Sequence, residues 1–234
     1  MKAIVLLSGG LDSTTMLRIV QEMKYEVHAI TFSYGQRHSV EIDAAKKVAQ
    51  KYGIQNHRIV NIDLFGGSAL TDDSIELNKS GKIGVYDPEK ENIPLSYVPA
   101  RNTIFLSYAL GFAEVIGAQK IFIGINAIDY SGYPDCRPEY LKKFNELAKL
   151  ATAVGVKNEF EIEVAAPLMN LSKAQIIATG IKLGVDYGDT ISCYDPDENG
   201  VACGKCDACT LRLEGFAANK MIDNARYAKS PPIF

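Results

Sequence analysis

Four of the five cysteines in this chain crowd into residues 193–209. Cys203-Gly-Lys-Cys206-Asp-Ala-Cys209 is a double C-x-x-C with a shared middle member, and Cys193 precedes it across a Gly-containing turn. Thiolates so spaced chelate one metal at metal–sulfur distances of about 2.3 Å, and four of them close a tetrahedron with no open position for substrate. The chemistry expected there is structural. Zinc is the expected ion, an iron–sulfur cluster the competing occupant, and binding of the metal is also folding free energy for a segment with little core of its own. Cys136 is too distant in sequence to join the set and is expected to be a pocket or core thiol.

The second constellation is Ser8-Gly-Gly-Leu-Asp-Ser-Thr14. It follows the apolar run Lys2-Ala-Ile-Val-Leu-Leu7, which reads as a strand buried on both faces, and precedes Met16, Ile19, Val20 and Met23 at helical spacing. Glycines at such a turn let backbone N–H groups approach phosphate oxygens, and the helix N-terminus adds a partial positive charge. Asp12 or Ser13 is expected to cap that helix, and the hydroxyls of Ser8, Ser13 and Thr14 add donors. The spacing and lysine of a Walker loop are missing, so γ-phosphate transfer is not implied and a bound pyrophosphate fits better. The plainer alternative is a tight strand-to-helix turn with Asp12 as its cap.

The elements that must position these residues alternate. Val27 to Phe32 reads as a second strand, Ala45, Val48, Ala49 and Tyr52 as the apolar face of a second helix, and Arg58 to Ile62 as a third strand. After a polar stretch from Phe65 to Pro99 the pattern resumes as helix (Thr103 to Ile116), strand (Lys120 to Ile125), helix (Tyr140, Phe144, Leu147, Ala151) and strand (Phe160 to Ala165). A further helix from Ser172 to Leu183 leads into the cysteine region and a last helix. The expected fold class is α/β, a doubly wound parallel sheet spanning residues 1–185, with a C-terminal zinc-binding segment, residues 186–234, packed on it. Residues 65–99 are long for a plain connection and are expected to form a mobile flap. His28, inside a strand, and His57 read as structural.

The bulk numbers bound the partners. Formal net charge is −3, from 25 Lys+Arg against 28 Asp+Glu, which advertises neither nucleic acid nor an anionic membrane and points to small-molecule substrates. No apolar run approaches the roughly 18 to 20 residues of a membrane span, and the chain opens on a strand rather than a leader, so a cytoplasmic protein is expected. Thiols used as metal ligands suit that compartment.

Three segments lie beyond strand ends or at helix entrances: Tyr34-Gly-Gln-Arg-His38, Val98-Pro-Ala-Arg-Asn102, and Gly124 to Pro138. In a doubly wound sheet they face the same crevice as the Ser8 loop. The heptapeptide Ser8–Thr14 resembles the signature of the pyrophosphatase-loop superfamily, the adenine nucleotide α-hydrolase-like enzymes. With the three segments, Pro167-Leu-Met169 and the terminal cysteines, the whole chain resembles the 7-cyano-7-deazaguanine synthase family almost end to end.

That resemblance implies an ATP-dependent carbon–nitrogen ligase of queuosine-type deazapurine biosynthesis. Its substrates are 7-carboxy-7-deazaguanine and ammonia, its product is the nitrile, and carboxylate and then amide are adenylated in turn. It implies ATP, Mg²⁺ and one structural Zn²⁺ per chain, and a homodimer that binds no nucleic acid. The implied nucleotide-contacting segment is Leu7, Ser8, Gly9, Gly10, Leu11, Asp12, Ser13, Thr14, Thr15, Met16 and Leu17, with Asp12 supporting magnesium. Asp12, Ser13 and Arg101 are the expected catalytic residues. The expected substrate pocket takes Arg37, His38, Arg101, Asn102, Asp129, Tyr133, Asp135 and Arg137. In it Arg101 or Arg137 holds the carboxylate or phosphates, Asp129 or Asp135 accepts from the guanine-like edge, and Tyr130 or Tyr133 stacks on the ring.

Two rival readings stay open at this stage. A tRNA thiolase of the same superfamily needs a catalytic cysteine, for which only Cys136 is placed, and a basic RNA-binding module. A zinc-containing nucleic-acid-binding module needs a basic face, whereas Asp195, Asp197, Glu198, Asp207 and Glu214 surround the cysteines.

Overall fold

The computed structural model describes residues 1–35, 40–64, 66–72, 74–77, 93–128 and 132–229. Strand β1 (Lys2–Leu6) lies at the centre because its run of Ala3, Ile4 and Val5 is apolar on both sides and fully buried. Helix α1 (Leu11–Glu22) follows, then β2 (Glu26–Ser33), α2 (Val40–Lys51) and β3 (Asn56–Asn61). The second half adds α3 (Arg101–Ile116), β4 (Lys120–Phe122), α4 (Pro138–Ala151), the short α5 (Ala153–Val156), β5 (Glu163–Ala165), α6 (Lys173–Lys182) and α7 (Asp207–Ala218).

All four ladders are parallel and the strand order is β3-β2-β1-β4-β5. Helices cover both faces. One face packs Leu106, Ala109, Phe144 and Ala148 of α3 and α4 on Ile4, Ile30 and Ile121; the other packs Met16, Val20, Val48, Ile176 and Phe216 on Ala3, Val5 and Ala29. The order reverses between β1 and β4, so the loops leaving their carboxyl ends diverge and open a crevice.

Three sequence expectations shift. The strand expected over Lys120 to Ile125 ends at Phe122: Ile123 N–H still donates to the Ala165 carbonyl of β5 (3.0 Å), and Ile123 and Ile125 line the crevice. Leu147 is exposed while Ala148 is buried, which turns the apolar face of α4 by one position. Met23 ends up exposed just past α1. Much of the expected 65–99 flap lies outside the described residues. Its two described ends are tied together where Ala69 N–H and Ser68 Oγ both donate to the Leu95 carbonyl, at 2.8 and 3.3 Å. Among the described residues no helix is long and apolar enough to cross a membrane.

Candidate active site and metal centre

The loop leaving β1 closes on itself before α1 begins. Ser8 N–H donates to Ser13 Oγ (3.2 Å), the two hydroxyls are 3.0 Å apart, and Gly10 N–H donates to Ser8 Oγ (3.3 Å). Gly9 holds φ +79°, and a Cβ there would stand 2.5 Å from Ala45 N and 2.9 Å from the Glu41 carbonyl oxygen, so the loop rests directly on the backbone of α2. Gly124, beyond β4, lies against the first turn of α1, where a Cβ would be 3.4 Å from Ser13 Cα.

The helix cap differs from expectation. Gly10 occupies it in an extended conformation with no side-chain cap, and Asp12 and Ser13 lie within the first turn. Their side chains are therefore free for other work: Ser13 turns back to the loop, and Asp12 accepts from Lys173 Nζ on both oxygens at 2.7 Å. The backbone N–H groups of Asp12 and Ser13 have no protein partner among the described residues. They are the orphan donors of a helix N-terminus, available to an anion.

A cavity of about 250 Å³ opens beside this loop and extends along the crevice. From the expected residues it gathers Leu7, Ser8, Gly10, Leu11, Asp12 and Ser13 on one side and Arg101, Asn102, Tyr133 and Cys136 on the other. Arg101 opens α3 behind Ala100, a non-glycine held at φ 52°, and its Nη1 donates to Tyr34 Oη at 3.4 Å. Tyr133 shares a 2.6 Å hydrogen bond with Ser96.

The structure brings other expected residues elsewhere. Thr14, Thr15, Met16 and Leu17 are fully buried beneath the loop and do not line the cavity. Asp135 does not line it either: its Oδ2 accepts from Asn102 N–H (3.0 Å), supplying a partner at the start of α3, and burial pushes its carboxyl up against that hydrogen bond. Arg137 stands half-buried at the head of α4, off the cavity. Arg37, His38, Asp129 and Tyr130 lie outside the described residues. His28 and His57 sit on strands, bonded to Glu26 (3.1 Å) and Thr31 (2.8 Å).

Tyr34, which opens one of the three segments expected at the crevice, also lines the cavity, and five further residues there carried no sequence signal that singled them out: Glu41, Lys173, Ser192, Tyr194 and Arg212. Lys173 was traceable in part, since Ser172 and Gln175 form a complete capping box that fixes it as the first residue of α6. The side chain of Glu41, in the first turn of α2, makes no hydrogen bond or ion pair among the described residues. Burial raises its carboxyl to about 7, against the pull of Arg101, so it can accept or return a proton near neutrality. Cys136 accepts from Asn102 Nδ2 at 3.4 Å, and burial pushes its thiol up to about 12. It stays protonated at neutral pH, which argues against a sulfur-carrying nucleophile there.

The cysteines converge as their spacing required. The four Sγ atoms of Cys193, Cys203, Cys206 and Cys209 lie within 4.8 Å of one another, and Cys193 and Cys206 are 3.9 Å apart. A tetrahedron with metal–sulfur bonds of about 2.3 Å has sulfur–sulfur edges of about 3.8 Å. Backbone N–H groups of Cys203 (3.2 Å) and Asp195 (3.3 Å) donate to Cys193 Sγ, and that of Tyr194 (3.5 Å) to Cys206 Sγ, the support expected for thiolate ligands. The residues present therefore fit one four-sulfur metal ion.

Comparison with known proteins agrees with this architecture. Residues 2–220 match the family model described as "Queuosine biosynthesis protein QueC". A 7-cyano-7-deazaguanine synthase of Desulfatibacillum aliphaticivorans is 57% identical over 97% of this chain and 96% of its own. That of Geobacter sulfurreducens is 58% identical over 97% of this chain and 93% of its own. Among solved structures, NMN synthetase from Francisella tularensis superposes with a TM-score of 0.50 at 15% identity, covering 94% of this chain and 78% of that one, a likeness of fold alone. With nearly its whole length matched, the chain belongs to the QueC family of queuosine biosynthesis proteins.

Proposed function

We propose that the chain converts 7-carboxy-7-deazaguanine and ammonia to 7-cyano-7-deazaguanine at the expense of ATP, as a cytoplasmic homodimer that uses no nucleic acid. The observation that carries this reading is one cavity joining the orphan N–H groups of the Ser8 loop to Arg101 on the opposite wall, in a chain more than half identical to synthases of that name. ATP supplies the adenylyl group that makes an oxygen of the carboxylate, and later of the amide, a leaving group. The chain's part is to bind, orient and move protons. The loop takes the phosphates on the N–H groups of Asp12 and Ser13, and Lys173 adds a positive charge beside them. Asp12, whose two oxygens accept from Lys173, would support magnesium, a cation that prefers a carboxylate together with phosphate oxygens. Arg101 holds the substrate carboxylate, and Tyr133 presents a ring face to the deazapurine. The four cysteines hold zinc.

Among the described residues, Glu41 is the cavity carboxylate left to accept the N–H proton when amide becomes nitrile. With the amide supplied as substrate, so that ammonia plays no part, turnover should fall about tenfold per pH unit below the Glu41 carboxyl's value of about 7, because only the ionised form accepts a proton. Glu41→Gln should be slow and flat across that range. A Glu41→Gln profile that keeps the acid limb would assign the proton to another group.

The reaction itself is checked by its products. Purified protein with ATP, magnesium, ammonium and the carboxylate should release about two AMP and two pyrophosphate for each nitrile, with the amide as an intermediate that is itself converted without ammonia. Formation of ADP and phosphate, or an inert amide, would overturn the mechanism.

A further inference from the structure

Helix α7 reads, along one face, from the metal centre to the phosphate loop. Cys206 is its cap and Cys209 lies in its first turn. Arg212, one turn on, is 3% exposed and spends its whole guanidinium inside the protein. Nε and Nη2 donate to the two Asp223 oxygens at 2.6 and 2.9 Å, and Nη2 also reaches the Tyr187 carbonyl (2.8 Å). Nη1 donates to the Thr190 carbonyl and hydroxyl (3.2 and 2.8 Å) and to Ser192 Oγ (3.4 Å).

The segment so clamped is the one that touches the loop. Ser192 Oγ accepts from Leu11 N–H at 3.2 Å, and Ile191 N–H donates to the Gly9 carbonyl at 3.0 Å. One of the orphan donors of α1 is thus occupied from the C-terminal segment, which leaves its neighbours at Asp12 and Ser13 for an anion. A turn further along α7, Gly215 packs on another cavity cation, since a Cβ there would be 2.8 Å from Lys173 Cγ. The same helix therefore supports the backbone that frames the phosphate site and the lysine that pairs with Asp12.

We propose that Arg212 is a positioning residue for the phosphate loop, and that through it metal binding at the four cysteines and nucleotide binding at the loop are coupled, each tightening the other. The inference rests on the zinc and ATP assignments of the preceding subsection and adds an energetic link between them. Linkage makes the coupling reciprocal: the factor by which metal raises nucleotide affinity is the factor by which nucleotide raises metal affinity. Loss of metal frees the start of α7, the Arg212 fork loses its anchor, and residues 187–192 no longer hold Gly9 and Leu11.

The test uses the zinc-loaded full chain and a chromophoric chelator that takes zinc but leaves magnesium. Saturating α,β-methylene-ATP with magnesium should slow zinc release from the wild type by about tenfold, within the usual range of coupled sites. Arg212→Lys keeps the charge and loses the fork. It should retain one zinc and show a KM for ATP raised about tenfold with kcat changed less than about threefold, and nucleotide should no longer slow its zinc release. A merely structural arginine would instead lower kcat through a smaller folded fraction at unchanged KM. Should Arg212→Lys fail to fold, Ser192→Ala, which deletes the hydroxyl that accepts from both Leu11 N–H and Arg212 Nη1 and leaves the rest of the Arg212 fork in place, carries the same expectation. The proposal is overturned if nucleotide and zinc both bind and zinc release is indifferent to nucleotide, or if both variants keep the wild-type slowing. A chain that binds no zinc or no nucleotide would overturn it together with the reading it rests on.

Discussion

Asp12→Asn should lower turnover by about two orders of magnitude or more, because charge stabilisation at a phosphoryl centre is worth several kcal/mol. The same substitution removes the carboxylate to which Lys173, its side chain 8% exposed, gives two bonds of 2.7 Å. Breaking a buried pair from one side costs about 3–5 kcal/mol, so the variant should also melt well below the wild type. The two effects separate in Asp12→Asn/Lys173→Met, which removes both charges. Thermal stability should return most of the way while turnover stays low. Turnover within about threefold of wild type in Asp12→Asn would remove Asp12 from the catalytic group.

The second large effect concerns the metal. Cys206→Ala deletes one of the four converging thiols, fully buried at the residue that precedes α7. Structural zinc sites contribute about 10–16 kcal/mol in small peptides, and three thiolates hold the ion far less tightly than four. The variant should purify without stoichiometric zinc, and limited proteolysis should cut within residues 193–229 while the sheet survives. Elemental analysis that finds iron in the wild type, or a soluble and fully active Cys206→Ala protein, would be the contrary result.

The alternation of strands and helices was legible because each buried strand is a short apolar run and each helix carries an apolar stripe. The cysteine set was legible for a different reason: ligand spacing is local, and Cys203, Cys206 and Cys209 need only one turn and one helix start to converge. The Ser8 loop was legible as a tight turn from β1 into α1 but not in its detail. Gly10, not Asp12 or Ser13, takes the cap, which depends on where α1 starts by one or two residues. What sequence could not show is long-range pairing. Asp12 meets Lys173 across 161 residues of chain, and Arg212 meets Thr190 and Asp223 from a helix that the sequence marks only as the last one. Asp135 looked like a reader of the substrate ring because it follows β4. It went instead to the start of α3, whose exposed N–H groups needed a partner inside the protein.

The contact between Gly9 and α2 bears on how such a site can diversify. Backbone meets backbone there, with no room for even a methyl group, so the floor of the cavity has a height that no side chain sets. Adaptation to a new ring must therefore be written on the opposite wall, where Tyr34, Arg101 and Tyr133 meet the cavity as side chains. The nucleotide grip is inherited as geometry, whereas ring selectivity can drift one replacement at a time. Engineering that seeks a different carboxylate should leave residues 8–13 alone and vary the wall.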